Sequence, residues 1–425
     1  MKFPFEWNPL ADQPHNVAPR SERFKHHLRH APSYFALAGA NLLRGASILR
    51  RYGKFMRNMH RDPVSIPRGA FGCSVSPSAG HDDRVFSLLA ETGATQTLVR
   101  VPSWEKKDMA RIADFVRDLR GRGFEVVIAL LQRRDDVLDP GAWRSFLEEA
   151  FDRFAAPGAF FEVGHAWNRT KWGVWDHYEY IRLAEPAFEL APRFGVKLAG
   201  PAVIDFEFHL YPATLPRLPF DKVTSLLYVD RMGAPENAQC GWTAGRKLAL
   251  LKAVVDASAS GSRDLWITEV NWPLAGTGPW SPAAGKPNVS EEEQADYLVR
   301  YFVPALASGL VEKIFWWQMA APGYGLVDTR GETWRKRPSF EAFRELRGRI
   351  EGSDFEGREG EGGAEVYNFR KGGGAFAVVW TAGAPVEREF RRPVEAVLDR
   401  SGREAARPSG KILIQGSPKY VLFRE

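Results

Sequence analysis

The sequence contains little cysteine and no long apolar run. Its 425 residues include only two cysteines, Cys73 and Cys240, so neither a disulfide framework nor a cysteine metal site is expected. The first residues lack the apolar core of a signal peptide, and no stretch approaches the roughly 18 uncharged apolar residues that span a membrane. These absences predict a cytoplasmic protein that touches a membrane, if at all, from its inner face.

The sequence also lacks nucleotide- and metal-binding patterns. Residues 74–78, after the first predicted strand, read Ser-Val-Ser-Pro-Ser and not a glycine-rich phosphate loop. His26, His27 and His30 cluster in a basic segment without neighbouring carboxylates, and His81 precedes two aspartates at a predicted helix start. We therefore expect neither a cofactor nor a metal site.

Positive charge is concentrated at the N-terminus. Residues 1–68 contain 12 Lys and Arg against 4 Asp and Glu, a net charge of +8, whereas the rest of the chain carries −2. The body is therefore nearly neutral, and the basic isoelectric point gives no reason to expect nucleic-acid binding. Residues 1–33 are rich in proline, histidine and arginine and are expected to form an irregular arm.

Residues 34–59 have the periodicity of an amphipathic helix. The apolar side chains that fall on one side at helical spacing are Phe35, Leu42, Leu49, Tyr52, Phe55, Met56 and Met59. Arginines and lysines occupy the remaining surface. One interpretation is peripheral contact of residues 34–59 with an anionic membrane. The other is a helix packed on the body of the protein, with its cations in solvent.

Short β-rich segments alternate with longer helical ones over residues 69–352, which is typical of βα units. Eight strands are predicted at 70–75, 95–101, 125–131, 159–163, 196–199, 223–229, 265–268 and 313–317. This number predicts a (β/α)8 TIM barrel. A Gly/Glu-rich linker is expected at 352–363. Short strands in 353–425 predict a small C-terminal β-sandwich, so the expected domains are 1–68, 69–352 and 353–425.

The active site of such a barrel lies at the carboxyl ends of its strands. Glu269 stands at the seventh strand end between Trp266 and Trp272, which suits a sugar: the acid acts at C1 while indole rings stack on its C–H face. The other polar and aromatic residues of these ends are candidate contacts to an oligosaccharide or polysaccharide: Arg100, Gln132, Trp167, Asn168, Arg169, Lys171, Trp172, Asp205, Glu207, Tyr228, Asp230, Arg231, Trp272, Trp317, Gln318 and Tyr324.

These residues resemble those of clan-A glycoside hydrolases, especially family 39 and related xylosidase-like enzymes. The resemblance rests on strand 7, strand 8 with its loop, and a strand 2 arginine, which are here Trp266-Ile267-Thr268-Glu269, Phe315-Trp316-Trp317-Gln318 followed by Tyr324-Gly325-Leu326-Val327-Asp328, and Arg100. It covers residues 69–352 well and the C-terminal segment loosely. The resemblance implies a barrel with an attached β-sandwich, and Glu269 as nucleophile.

Strand 4 departs from the clan's pattern of Glu, a hydrophobic residue, any residue, then Asn-Glu-Pro-Asn, in which the second Glu is the acid/base. Here the motif runs from Glu162, and Asn-Glu becomes His165-Ala166. Because an alanine cannot transfer a proton, three accounts stay open. The protein is a glycosidase or transglycosidase whose proton comes from His165 or from Asp205, Glu207 or Asp230. Alternatively, it is a silent glycan-binding or scaffold protein of a cell-surface polysaccharide pathway, or it relies on a group of the substrate.

Six cations come from the predicted strand-end segments: Arg100, Arg133, Arg134, Arg169, Lys171 and Arg231. Arginine forks match carboxylates and phosphates. The cations predict an anionic substrate such as a uronic-acid polysaccharide or a phosphorylated lipid-linked saccharide. The competing interpretation is that several of them pair with nearby aspartates.

Overall fold

The computed structural model describes residues 5–15, 19–228, 233–281, 288–360, 362–406 and 410–424. Within them, the N-terminal segment contains a two-stranded ribbon and two consecutive helices before the short strand that precedes the barrel. Their bounds are β1 Trp7–Asn8, β2 Gln13–Pro14, α1 Arg20–Arg29, α2 Ala31–Asn58 and β3 Val64–Ser65. The expectation of an irregular arm over 1–33 is therefore wrong for α1. That helix is held by side-chain contacts to Asp176, distant in sequence, which a local pattern does not reveal.

Eight parallel strands form a closed barrel, as predicted. Their bounds are β4 Phe71–Ser74, β5 Gln96–Pro102, β6 Glu125–Leu131, β7 Phe160–Val163, β8 Lys197–Ile204, β9 Lys222–Leu226, β10 Leu265–Val270 and β11 Lys313–Trp316. The first and last strands pair through Gly72 and Phe315, and a Cβ at Gly72 would lie 2.3 Å from the Phe315 ring. Glycine is therefore required where the barrel closes.

Helices between the strands cover the barrel wall. They are α3 Asp82–Thr92, α4 Met109–Gly121, α5 Arg134–Leu138, α6 Pro140–Phe154, α7 His177–Phe194, α8 Tyr211–Thr214, α9 Ala244–Ser258, α10 Glu291–Ala307 and, after the ribbon of β12 Val327–Asp328 and β13 Arg335–Lys336, α11 Pro338–Ile350. The short α8 lies in the proline-rich fifth connection, where proline removes helix hydrogen-bond donors. Apolar faces of these helices and outward residues of the strands form one continuous core.

The C-terminal domain consists of two antiparallel sheets that share a hydrophobic core. Its strands are β14 Asp354–Glu359, β15 Ala364–Lys371, β16 Gly374–Thr381, β17 Val386–Arg388, β18 Val394–Asp399, β19 Glu404–Ala406, β20 Ile412–Ile414 and β21 Lys419–Phe423. The expected linker at 352–363 is wrong because β14 occupies half of it. This strand pairs with both β15 and β3, so Val64–Ser65 belongs to the C-terminal sheet although it precedes the barrel.

The apolar side of α2 is divided between two environments. Tyr52, Phe55 and Met59 are half-buried and pack against the core, whereas Leu42 and Leu43 are 81% and 86% exposed. No helix in the described ranges is long and apolar enough to cross a membrane.

Candidate active site

Glu269 lies at the bottom of a cavity of about 710 Å³ at the carboxyl end of the barrel. Its side chain is 9% exposed and is held from two sides. Arg100 Nη2 donates to Glu269 Oε2 at 2.5 Å, and the Tyr228 hydroxyl donates to Oε1. Both partners come from other barrel strands or their ends. The carboxylate is therefore fixed and faces a space large enough for sugar rings.

Arg100 is the central cation of the site. Its guanidinium lies 3.3 Å from the centroid of the Trp317 ring, and its second terminal nitrogen donates to the carboxylate of Asp12 at 3.0 Å. Stacking and two carboxylates together fix the plane of the guanidinium. Arg100 consequently connects Glu269 with the N-terminal segment, a contact that the sequence pattern did not predict.

His165 does not have the properties expected of a proton donor. Its Nε2 accepts a hydrogen bond from Arg100 at 3.0 Å and lies 3.6 Å from Glu269 Oε2. Burial, followed by the charges of Arg100 and Lys171, lowers the pKa of the imidazole well below its usual range. The expectation of a histidine titrating near neutrality is therefore wrong. A neutral ring with an occupied Nε2 cannot protonate a leaving group through that atom.

Asp12 is the carboxyl group that the sequence analysis missed. It follows the turn after β1, has a positive φ of 51°, and lines the cavity together with Ala11 and Gln13. Burial raises the pKa of this carboxyl, the Glu269 charge adds to the rise, and Arg100 opposes it. A non-glycine residue in the left-handed region is a reason to look for a function. The only available sequence signal was an aspartate among aromatic residues in a segment expected to be irregular.

Asp12 and Glu269 bind the two ends of the same guanidinium. Because both carboxyls bind one guanidinium, their nearest oxygens lie within roughly 8 Å of each other. This limit is compatible with the carboxyl separations of retaining and of inverting glycosidases. Ala166, at the strand 4 position where the clan carries its acid/base, also lines the cavity. Its methyl group leaves that role unfilled.

Of the sixteen candidate residues that the structure describes, ten line the cavity. Those lining it are Arg100, His165, Arg169, Lys171, Trp172, Asp205, Glu207, Tyr228, Glu269 and Trp317. Residues that the prediction missed include Asp12, Gln13, Phe206, Gln239, Asn271 and Pro273. Asp230 and Arg231 lie outside the described residues.

The other six described candidates do not line the cavity. Two of them make hydrogen bonds to residues that do, or to their backbone. Gln132 bonds both the backbone N–H and the carbonyl of His165. Asn168 bonds Ile204 and Glu207, and thus ties the loop after β7 to β8. The remaining four, which are Trp167, Trp272, Gln318 and Tyr324, are buried. The two tryptophans face the core because neighbouring residues in these loops point in different directions, which composition alone does not show.

Three of the described cations that were predicted for the rim are paired with protein carboxylates away from Glu269. Arg169 contacts both Asp205 and Glu207, and Arg134 makes a buried pair with Glu179. Arg133 contacts Asp135 at 3.6 Å. These contacts neutralise much of the positive charge that motivated the expectation of an anionic substrate.

Glu162 is a buried carboxyl beneath the site. It accepts a hydrogen bond from Thr268 Oγ1 at 2.6 Å, and burial raises its pKa to about 7. When the pKa of a carboxyl is higher in the folded than in the unfolded protein, the folded protein loses stability as pH rises from the unfolded to the folded pKa. The protein is therefore expected to lose stability from about pH 4.5 to pH 7 through this group.

Glu162→Gln is expected to remove that pH-dependent loss. Relative to the native chain, the variant should gain up to about 3 kcal/mol at pH 8 and little at pH 4.5, since one pKa unit corresponds to ~1.4 kcal/mol. Denaturant titrations of both proteins at the two pH values measure the difference. If the difference in unfolding free energy between the variant and the native chain is the same at both pH values, the raised pKa of Glu162 is contradicted.

The chain has a clan-A glycoside hydrolase-like fold. A family 39 glycoside hydrolase from Bacteroides cellulosilyticus is similar, with a TM-score of 0.65 and 14% identity, over 84% of this chain and 81% of that one. A family 30 endoxylanase from Clostridium papyrosolvens has a TM-score of 0.55 and 12% identity, over 87% and 98% of the two chains. A family 51 α-L-arabinofuranosidase from Bifidobacterium longum gives 0.57 and 13%, over 85% and 98%.

At these identities the similarity establishes the fold alone. No protein-family model matches the sequence, and no curated protein matches it. The chemistry must therefore be argued from the residues of this cavity.

Proposed function

We propose that the protein is a glycosidase or transglycosidase in which Glu269 is the nucleophile and Asp12 is the acid/base. The observation that carries this proposal is the pair of carboxyl groups on one guanidinium, facing one cavity. Glycoside cleavage needs one carboxylate to attack or stabilise C1 and one carboxylic acid to protonate the leaving oxygen. The methyl side chain of Ala166, which also lines the cavity, supplies neither group.

The environments of the two carboxyls suit these different roles. Glu269 receives hydrogen bonds from Arg100 and from the Tyr228 hydroxyl, which hold the carboxylate in place for attack at C1. Burial and the nearby Glu269 charge raise the pKa of Asp12, which favours the protonated form needed in an acid. A positioned carboxylate beside a carboxyl whose pKa is raised fits the division between nucleophile and acid in glycosidases.

Asp205 and Glu207 are weaker candidates for the proton donor. Both form ion pairs with Arg169, away from the guanidinium that holds Glu269. Among the described side-chain contacts, neither carboxylate reaches Glu269 or Arg100. Asp12 therefore takes precedence over both.

A covalent glycosyl-enzyme would test the proposal directly. Activated 2-deoxy-2-fluoro glycosides of glucose, xylose, arabinose, galactose, mannose and glucuronic acid would be incubated with the full chain, and the mass of the protein measured. We expect one of them to add one fluoroglycosyl unit, located on Glu269 by peptide mapping and absent from Glu269→Gln. Hydrolysis of the matching non-fluorinated glycoside without such an adduct would overturn the nucleophile assignment.

The silent glycan-binding alternative makes a different prediction in the same assay. It expects no turnover and no adduct with any of these sugars, although glycans bind in the cavity. The second carboxyl on the same guanidinium favours the enzyme, because glycoside cleavage needs two carboxyl groups and binding does not.

An anionic glycan stays a prediction about the substrate. The carboxylate partners of Arg133, Arg134 and Arg169 weaken it, because these cations are already compensated. Binding of a uronic-acid oligosaccharide and a neutral one of equal length, compared over a salt series, would test it. A preference that falls with salt supports an anionic substrate, and equal binding contradicts it.

We further propose that α1 and α2 contact an anionic membrane surface. Among the described residues, large apolar side chains exposed on these helices are Phe24, Leu28, Tyr34, Phe35, Leu42, Leu43 and Leu49. Exposed cations, including Lys25, Arg29, Arg50, Lys54 and Arg57, lie on the same helices. Apolar insertion combined with positive charge is the requirement for interfacial binding.

Vesicle flotation of the full chain would test membrane contact. We expect flotation with anionic vesicles, and at least about a tenfold weaker association after Leu42→Glu combined with Leu43→Glu, since each buried leucine contributes about 1.5–3 kcal/mol. Leu138→Glu is the matched control, because this leucine is exposed on another part of the surface. Equal flotation of all three proteins would contradict a role for α2.

A further inference from the structure

His26, His30 and Asp176 form a compact group outside the cavity. Their ligand-type atoms lie within 4.8 Å of one another, although Asp176 is distant from both histidines in sequence. His26 Nε2 and His30 Nδ1 lie 2.9 and 3.1 Å from the same carboxylate oxygen, Oδ2 of Asp176. The expectation that these histidines have no carboxylate partner is therefore wrong, because the partner comes from the loop after β7.

We infer that this group is a binding site for a zinc-type divalent transition metal ion. The two histidines stand four residues apart at the end of α1, which places both rings on one side, stacked with centroids 4.1 Å apart. Neutral imidazole with carboxylate is a donor set suited to Zn²⁺, whereas Ca²⁺ and Mg²⁺ prefer oxygen alone. This inference does not depend on the proposed glycosidase function.

The spacing of the donors fits a tetrahedral ion. Ligands at the 2.0–2.1 Å typical of zinc are separated by roughly 3.3 Å, close to the two observed separations from Asp176 Oδ2. Three protein ligands would leave a fourth position for water. The third separation, between the two imidazole nitrogens, is at most 4.8 Å.

The surroundings orient the carboxylate and restrict access to it. The other oxygen of Asp176, Oδ1, accepts the backbone N–H of Glu179 at 2.9 Å as the N-cap of α7. The Asp176 side chain is 2% exposed and His26 is 8% exposed. The Trp175 ring packs edge-on against His26 with centroids 5.2 Å apart. A ligand fixed by a second hydrogen bond and shielded by a ring is the usual support of a metal site.

The position of the group suggests what an ion would do. Asp176 ends the loop that begins with His165 and Ala166, and α1 belongs to the N-terminal segment that carries Asp12. Coordination would join these two segments directly. The ion would therefore be a structural metal ion that holds the N-terminal segment to the barrel, without taking part in the chemistry in the cavity.

Metal content would test the inference on the untagged full chain. After treatment with a chelator, incubation with Zn²⁺ and desalting, we expect about one zinc per chain by mass spectrometry. His30→Gln and Asp176→Asn should each weaken zinc affinity by more than about tenfold. Asparagine preserves the N-cap of α7, so this variant is expected to fold. His27→Gln is the control on the same helix and should retain the metal.

Two further readouts separate a built site from adventitious binding. Co²⁺ in place of Zn²⁺ should give the intense visible absorption of a tetrahedral complex in the native chain and not in His30→Gln. Zinc should slow tryptic cleavage within α1 of the native chain and of His27→Gln, and should not slow it in His30→Gln or Asp176→Asn. Equal zinc content in all four proteins, or none in the native chain, would overturn the inference and leave an ordinary hydrogen bond between the histidines and Asp176.

Discussion

Glu269→Gln is expected to lower kcat/KM for glycoside hydrolysis by about 10⁴-fold or more, as loss of a catalytic nucleophile does in other enzymes. The amide has nearly the same shape and can still bond Arg100 and Tyr228, so the fold and the cavity should persist. Initial rates on the glycoside identified by trapping, with the binding of its oligosaccharide measured separately, would show loss of turnover with retained affinity.

Glu207→Gln is the matched control for this substitution. Glu207 lines the same cavity but pairs with Arg169 and lies outside the contacts of Glu269. We expect its effect on kcat/KM to stay below about tenfold, in the range of an exposed ion pair. If the native protein and Glu269→Gln hydrolyse every glycoside at the same rate, Glu269 has no catalytic role.

Asp12→Asn is expected to lower kcat/KM by about 10²- to 10⁴-fold on glycosides with poor leaving groups, the range typical of general acid catalysis. With dinitrophenyl glycosides the loss should be much smaller at the first step, because that leaving group departs without protonation. The alkaline limb of the pH profile should also disappear. Its sign follows from the raised pKa of Asp12: the donor is active while protonated and is lost as pH rises through that pKa.

A merely structural role of Asp12 would give another result. If the carboxylate only positions Arg100, the loss of kcat/KM in Asp12→Asn should be the same for poor and for good leaving groups. Asp205→Asn is the matched control, since Asp205 also has a positive φ, pairs with an arginine and lines the cavity. Equal behaviour of the two variants would remove Asp12 from the proposed mechanism.

Much of the barrel follows from local patterns. Alternating β-rich and helical segments reflect the burial of parallel strands beneath amphipathic helices, and both periodicities are visible in the sequence. The strand ends follow from the same alternation, which is why Arg100, Tyr228 and Glu269 were all predicted for the site, and all three meet there. Individual side-chain directions within the long loops did not follow, as Trp167 and Trp272 show.

The closed barrel, the C-terminal β-rich domain and the strand end that carries Glu269 could be predicted from the sequence, because they depend on periodicity and on the order of elements along the chain. Three-dimensional packing was needed to show that Asp12 shares Arg100 with Glu269, that burial and Arg100 lower the pKa of His165, and that Asp176 meets His26 and His30. These contacts join segments separated by tens to hundreds of residues. Their pairing depends on three-dimensional packing and on local electrostatics, which leave no periodic trace in the sequence.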